Sequence, residues 1–134
     1  MNITSFLYPK NKVAFIKSSA SMREALEQFE HHSYTALPII DSEGKYVGTM
    51  SEGDLLWKLK NTPGINFDNM QQVPISEIKK HFHIESVSIN AHMEDMLELA
   101  ADQNFVPVVD DESIFIGIIR RKDIIGYYIK NITD

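Results

Sequence analysis

Four consecutive charged residues, Arg120-Arg121-Lys122-Asp123, stand where an apolar, β-rich segment gives way to a segment with helical periodicity. The N-terminal end of a helix carries a positive partial charge, so each cation there costs about 0.3–1 kcal/mol. A bound anion would offset that cost, because the helix N–H groups and the basic side chains would face it together. A solvated basic turn that pairs with nearby carboxylates is the alternative. The pattern indicates a candidate phosphate site.

A second helix start has the opposite charge. Ser51 and Asp54 have the spacing of a capping box, in which each side chain bonds the main chain of the other residue. This structural role explains both residues, and Glu52 beside them would repel a phosphate. We therefore expect a helix start that caps itself.

The two helix starts belong to two copies of one unit. Leu37-Pro38-Ile39-Ile40-Asp41 matches Val106-Pro107-Val108-Val109-Asp110 at an offset of 69 (107 minus 38), which also aligns Gly48 with Gly117 and Asp54 with Asp123. Ser21 to Leu26 matches His92 to Leu97 at an offset of 71 (93 minus 22 for the methionines). Landmarks that recur in one order at near-constant spacing indicate a duplication. Each copy predicts a β-α-β-β-α order, and the chain a mixed α/β (α+β) fold.

The predicted elements follow from periodicity and turn residues. Ser21 and Glu24 form a capping box before an apolar helical stripe, and the second copy repeats the stripe with Met93, Met96, Leu97 and Ala100. The proline in each middle strand indicates an edge or a strand start, where no ladder N–H is needed. We expect strands at 13–16, 36–40, 46–50, 84–87, 106–109 and 115–119, a polar connection at 61–69, and short helices at 3–7 and 73–82.

These elements divide the chain into a first repeat with the N-terminal segment (1–60), a linker (61–72) and a second repeat (73–134). One half alone would have a marginal core, so the halves should need each other.

The composition argues against several functions. The 134 residues include no cysteine, which removes disulfides, thiol chemistry and cysteine-based zinc sites. The net charge of -6 argues against general binding to nucleic acid or acidic membranes. The chain lacks a long apolar run and a secretory signal, so we expect a cytoplasmic protein with no membrane span. No common catalytic motif occurs, and the repeats consume the chain, so we do not expect an enzyme.

At LPIID, VPVVD and GTMSEGD the sequence resembles tandem CBS-domain proteins across almost the whole chain. The resemblance implies a pseudo-two-fold pair of repeats, two clefts between them, and frequent dimerisation through helices. At Lys12-Val13-Ala14, Tyr34 to Pro38 and the basic helix start, the chain is similar to small stand-alone CBS proteins of Gram-positive bacteria that bind cyclic di-AMP. This likeness implies an adenine-nucleotide sensor that docks onto a regulated enzyme. A ligand-free dimerisation or adaptor module is the alternative.

The resemblance also assigns roles to residues of this chain. The residues that would line the base pocket are Ala14, Tyr34, Thr35 and Ala36. The cations that would bind the phosphates are Lys12, Arg120, Arg121 and Lys122. The carboxylate that would bind the ribose is that of Asp123. Arg120 departs from the family pattern, which has serine or threonine there. A second cleft would use Ser51 and Asp54. We expect cyclic di-AMP first and AMP, ADP or ATP second as ligand, with no cofactor.

Two histidines could share a face of an extended stretch. His81 and His83 are two residues apart, but the sequence suggests no third metal ligand near them. We therefore expect no metal site.

Overall fold

The computed structural model describes residues 1–32 and 34–133. The strands are β1 (Tyr8–Pro9), β2 (Ile16–Lys17), β3 (Ala36–Ile40), β4 (Tyr46–Ser51), β5 (Val87–Ser88), β6 (Phe105–Val109) and β7 (Phe115–Arg120). The α-helices are α1 (Met22–His32), α2 (Glu52–Asn61), α3 (Leu97–Asp102) and α4 (Arg121–Thr133), with short 3-10 turns at Ile3–Phe6, Lys10–Lys12, Met70–Gln72, Ile75–Glu77 and Met93–Asp95. The mixed α and β fold predicted from the sequence is confirmed.

The chain forms two compact units. The first-repeat unit comprises residues 14–83, and the second-repeat unit comprises residues 1–13 together with the chain from residue 84 on. The contacts thus divide the chain differently from the predicted boundaries at 60 and 72. The N-terminal segment packs with the second repeat because Ile3 is fully buried in that core and β1 pairs with β7.

The first-repeat unit contains the sheet β2-β3-β4, in which β2 runs parallel and β4 antiparallel to β3. Ser21 and Glu24 make the predicted capping box at the start of α1, with each side chain bonded to the main chain of the other residue. Met70, Ile75 and Ile78 belong to this unit's core. The predicted helix at 73–82 is therefore wrong, because this stretch forms a short 3-10 turn that buries its apolar residues in the first core.

The second-repeat unit contains the sheet β1-β7-β6-β5 over a separate core. Its first helix differs from the prediction, because a 3-10 turn at Met93–Asp95 precedes the short α3 and Leu97 is 52% exposed. The reason lies at the helix start, where the side chain of His92 makes no capping bond. An uncapped first turn often tightens into 3-10 geometry, which satisfies some of its orphan N–H groups.

The strand prolines lie at the third position of central strands, so both predicted positions, an edge or a strand start, are wrong. Pro38 lies inside β3, and the parallel ladder with β2 starts one residue later, at Ile39. Pro107 has the same place in β6, one residue before the ladder with β5 starts at Val108. A proline is tolerated there because its missing N–H falls just outside the observed parallel ladder and breaks no observed pair.

No helix in the described part of the chain is both long enough and apolar enough to span a membrane.

Candidate functional site

The basic helix start lies where β7 ends and α4 begins, in the second-repeat unit. The N–H of Arg121 donates to the carbonyl of Asn104 at 3.1 Å, which fixes the first residue of α4 against the chain before β6. Arg120 replaces the usual capping side chain, and its Nε donates to Asp123 Oδ2 at 2.9 Å. The guanidinium of Arg120 also lies 4.3 Å from the centroid of the Tyr8 ring. Stacking and ion pairing thus hold Arg120 in a half-buried position.

The Nε of Arg121 binds main-chain carbonyls, whereas the sequence suggested a phosphate as its partner. Its Nε donates to the carbonyl of Ala100 at 2.8 Å and to that of Gln103 at 3.1 Å. These carbonyls lie at the C-terminal end of α3, where the helix leaves acceptors without intrahelical donors and a cation is favoured. The Nε of Arg121 therefore secures the end of α3 to the start of α4.

Two lysines of the predicted phosphate set remain available. Lys122 and Lys12 are both exposed, and within the described residues neither side chain makes a hydrogen bond or an ion pair. Lys12 ends the 3-10 turn that contacts β7, the strand that leads into the basic helix start. The second-repeat unit therefore contains both Lys12 and the residues from Arg120 to Asp123.

The acidic helix start of α2 has the predicted capping box. The N–H of Asp54 donates to Ser51 Oγ at 3.2 Å, and the N–H of Ser51 donates to Asp54 Oδ2 at 2.8 Å. The other oxygen of Asp54 accepts from the N–H of His81 at 2.9 Å and lies 2.7 Å from its Nδ1. Asp54 is only 2% exposed, so its carboxylate is fully engaged inside the unit. The sequence analysis did not find this role of His81.

A cavity of about 250 Å³ lies beside this carboxylate in the first-repeat unit. Its charged lining residues besides Asp54 and His81 are Lys58, Glu77 and Lys79. Acids and bases are mixed there, so the cavity lacks the one-sided positive charge that would select a phosphate. Among the described residues, no group of three or more histidine, aspartate or glutamate side chains could hold a metal ion.

The predicted base-binding residues belong to the first-repeat unit, around the start of β3. Tyr34 is 47% exposed and stacks on His32 with ring centroids 6.0 Å apart, while Thr35 is exposed and Ala36 half-buried. The carbonyl of Thr35 accepts from the N–H of Glu52 at 3.0 Å. Among the described residues, neither the N–H nor the C=O of Ala14 has a hydrogen-bond partner. The unit thus presents an exposed aromatic ring and an unpaired main-chain donor and acceptor.

In the second-repeat unit, a side chain binds the main-chain groups whose counterparts in the first-repeat unit have no partner among the described residues. Gln103 aligns with Tyr34 (103 minus 34 is 69), and Glu85 aligns with Ala14 (85 minus 14 is 71). Gln103 is 5% exposed, and its Oε1 accepts from the N–H of Glu85 at 2.8 Å. Its Nε2 donates to the carbonyls of Glu85 and Phe105, both at 3.1 Å. The sequence analysis did not find this role of Gln103.

Comparison with known proteins defines the class to which this fold and these helix starts belong. The model of the CBS domain matches residues 5–61 and 75–130, so the chain belongs to the CBS-domain family and carries two copies of the domain. The resemblance stated from the sequence is confirmed.

Particular relatives are similar over almost the whole chain. Cyclic di-AMP receptor B of Bacillus subtilis (strain 168) is 23% identical, over 97% of this chain and 88% of the receptor. A crystal structure of CbpB in complex with c-di-AMP superposes with a TM-score of 0.85 and 25% identity, over 100% of this chain and 88% of that one. CbpB from Streptococcus agalactiae gives a TM-score of 0.79 and 26% identity, over 98% and 82%.

Proposed function

We propose that this chain is a non-catalytic regulatory module that binds cyclic di-AMP, with AMP, ADP or ATP as weaker ligands. The observation that carries the proposal is the similarity, over nearly the whole chain, to a protein named as a cyclic di-AMP receptor and to a CbpB structure that contains this ligand. The basic start of α4 supports it, because Lys122 has no side-chain partner among the described residues and a cation at the positive end of a helix is otherwise unfavourable.

Lys12 and Lys122 would bind the phosphates in this proposal. Both are exposed and lack partners within the described residues, so binding breaks no existing contact. Arg120 would join them, with Asp123 accepting from a ribose hydroxyl. Because Arg120 and Asp123 are paired with each other, binding must offset the loss or rearrangement of that ion pair. Arg121 would support the helix start through its bonds to the end of α3, with any phosphate contact coming from its remaining N–H groups.

Tyr34, Thr35 and Ala36 would bind the adenine base together with Ala14. The exposed ring of Tyr34 offers a stacking surface, and base stacking on an aromatic side chain is worth about 1–3 kcal/mol. Ser51 and Asp54 would serve a second nucleotide only if Asp54 left its bonds with His81.

Isothermal titration calorimetry tests the proposed function. We expect wild type to bind cyclic di-AMP more tightly than AMP, ADP or ATP at one fixed salt concentration. Lys122→Ala should weaken binding by about 1.5–3 kcal/mol, the range for hydrogen bonds to charged groups. Lys60→Ala, which removes an exposed lysine from the last turn of α2, is the matched control and should bind as wild type. Absence of binding by wild type to any adenine nucleotide would refute the proposal and favour a ligand-free adaptor.

The proposed function also includes the formation of a homodimer and the binding of a partner protein. Helix α2 exposes Leu56 and Trp57, and helix α4 exposes Ile125 and Ile129, each by 42–60%. Apolar side chains on one element that remain exposed favour association with another surface. Light scattering should give the mass of a dimer for wild type and of a monomer for Leu56→Asp. A monomeric wild type would contradict the homodimer but not the binding of a nucleotide.

A further inference from the structure

The two prolines leave the same gap in both repeats. A parallel ladder has evenly spaced bonds, so the position before the first observed pair would require an N–H from Pro38 in β3 or Pro107 in β6. Proline has no N–H, and the carbonyls two residues before the ladder, those of Ala14 and Glu85, therefore have no ladder donor. We call the N–H and C=O of Ala14 the first edge, and those of Glu85 the second edge.

The second edge is filled by Gln103. A carboxamide offers one acceptor and one donor side by side, and here both meet the main chain of Glu85. Its Nε2 also reaches the carbonyl of Phe105, so the side chain bridges the two strand segments where the ladder is interrupted. Because Gln103 is almost fully buried, its side chain is fixed in the unit and engages both main-chain groups of Glu85.

The first edge has no such occupant. Tyr34 stands at the position of Gln103, but a phenol on a rigid ring cannot offer an acceptor and a donor side by side, and its side chain is 47% exposed. Within the described residues the N–H and C=O of Ala14 have no partner. Ala14 is half-buried, and a main-chain donor and acceptor that have no partner among the described residues favour a ligand with the complementary pair.

The amino group and the neighbouring ring nitrogen of a 6-aminopurine form such a pair, with one donor beside one acceptor. We propose that Gln103 acts as a built-in substitute for the base, closing the second edge, and that the chain takes a 6-aminopurine only at the first edge. This inference rests on the proposed function and goes beyond it, because it names the side chain that makes the two repeats unequal for the base.

The decisive variant transfers the closing residue to the first repeat. In Tyr34→Gln the new carboxamide can fill the first edge as Gln103 fills the second, whereas Tyr34→Met has similar length and no hydrogen-bonding group. Both variants lose the aromatic ring, so their difference reports closure alone. We expect Tyr34→Gln to weaken binding of cyclic di-AMP about 100-fold more than Tyr34→Met, because two paired groups of the base would lose their partners. Equal losses in the two variants would overturn the inference.

Amide hydrogen exchange without ligand separates this inference from the proposed function. In the free wild type we expect the amide of Glu85 to be protected and that of Ala14 to exchange fast. Gln103→Met should release the Glu85 amide by about tenfold or more, and Tyr34→Gln should protect the Ala14 amide. If Gln103→Met leaves Glu85 protected, closure by Gln103 is wrong. If both exchange results hold but wild type binds no adenine nucleotide, the proposed function fails and with it the purine at the first edge, while closure by Gln103 stands.

Discussion

The two repeats share three corresponding strands and the same interrupted parallel ladder, and they differ in which groups their own side chains satisfy. In the first-repeat unit the carboxylate of Asp54 is saturated by Ser51 and His81, while the main chain of Ala14 has no partner in the described part of the chain. In the second-repeat unit the main chain of Glu85 is saturated by Gln103, while Asp123 contacts Arg120 and remains 26% exposed. The two copies of a duplicated scaffold can therefore satisfy different groups at aligned positions, the carboxylate in one and the main chain in the other.

The largest expected effect contrasts the two aligned aspartates. Asp54→Ala should lower the free energy of unfolding by about 3 kcal/mol, because the N–H groups of Ser51 and His81 and the His81 ring lose their hydrogen-bond partner. Asp123→Ala removes one partly exposed ion pair and should cost only about 0–1 kcal/mol. Urea denaturation of the two variants measures the difference. Equal losses of the free energy of unfolding would show that Asp54 and Asp123 contribute equally to stability.

The aligned glycines provide the next contrast. Gly48 and Gly117 have φ of 156° and 155°, so alanine is strained to a similar extent at both. A Cβ on Gly117 would overlap the carbonyl oxygen of Tyr8 in β1, whereas the nearest atoms to one on Gly48 belong to the flexible side chain of Lys80, at 3.1 Å. We expect Gly117→Ala to cost about 1–3 kcal/mol more than Gly48→Ala, as overpacking does.

Thermal unfolding of both glycine variants checks this contrast. A second readout is the amide exchange of Ile118, whose partner in β1 is Tyr8. Gly117→Ala should speed that exchange because it forces β1 away from β7. A stable Gly117→Ala protein with wild-type exchange would contradict the close packing of the N-terminal segment on the second repeat.

A smaller effect separates the aligned residues Arg121 and Glu52. Arg121→Ala should lower the free energy of unfolding by about 1.5 kcal/mol, because the end of α3 loses a charged donor to two carbonyls. Glu52 is exposed, and Glu52→Ala should stay within about 0.5 kcal/mol of wild type. Chemical denaturation measures both. Arg121→Lys keeps the charge but not the geometry of Nε, so a wild-type stability for it would show that charge alone matters.

Sequence reasoning predicted what depends on local spacing. The capping boxes at Ser21 and Ser51 are present because their bonds join residues three apart. It could not predict the pairing of Asp54 with His81, which are 27 residues apart, or the burial of Ile3 in the second core, since both depend on how distant segments pack. The role of Gln103 could have been predicted from the sequence. The offset of 69 pairs it with Tyr34, and a carboxamide near a proline that lacks an N–H is a chemical signal.

The smallest expected effect concerns another pair of aligned positions, Glu94 and Arg23 (94 minus 23 is 71). Hydrogen bonds from the Met1 ammonium group and then from Tyr127 lower the pKa of Glu94 from 4.5 to about 2. A carboxyl with a depressed pKa stabilises the fold fully above 4.5, and this contribution is lost as the pH falls through about 2. Arg23 has no carboxyl group, so the first repeat lacks the matching carboxylate at this position. NMR titration should show Tyr127→Phe raising the pKa of Glu94 towards 4.5, and an unchanged titration would mean that the hydroxyl of Tyr127 does not hold the carboxylate.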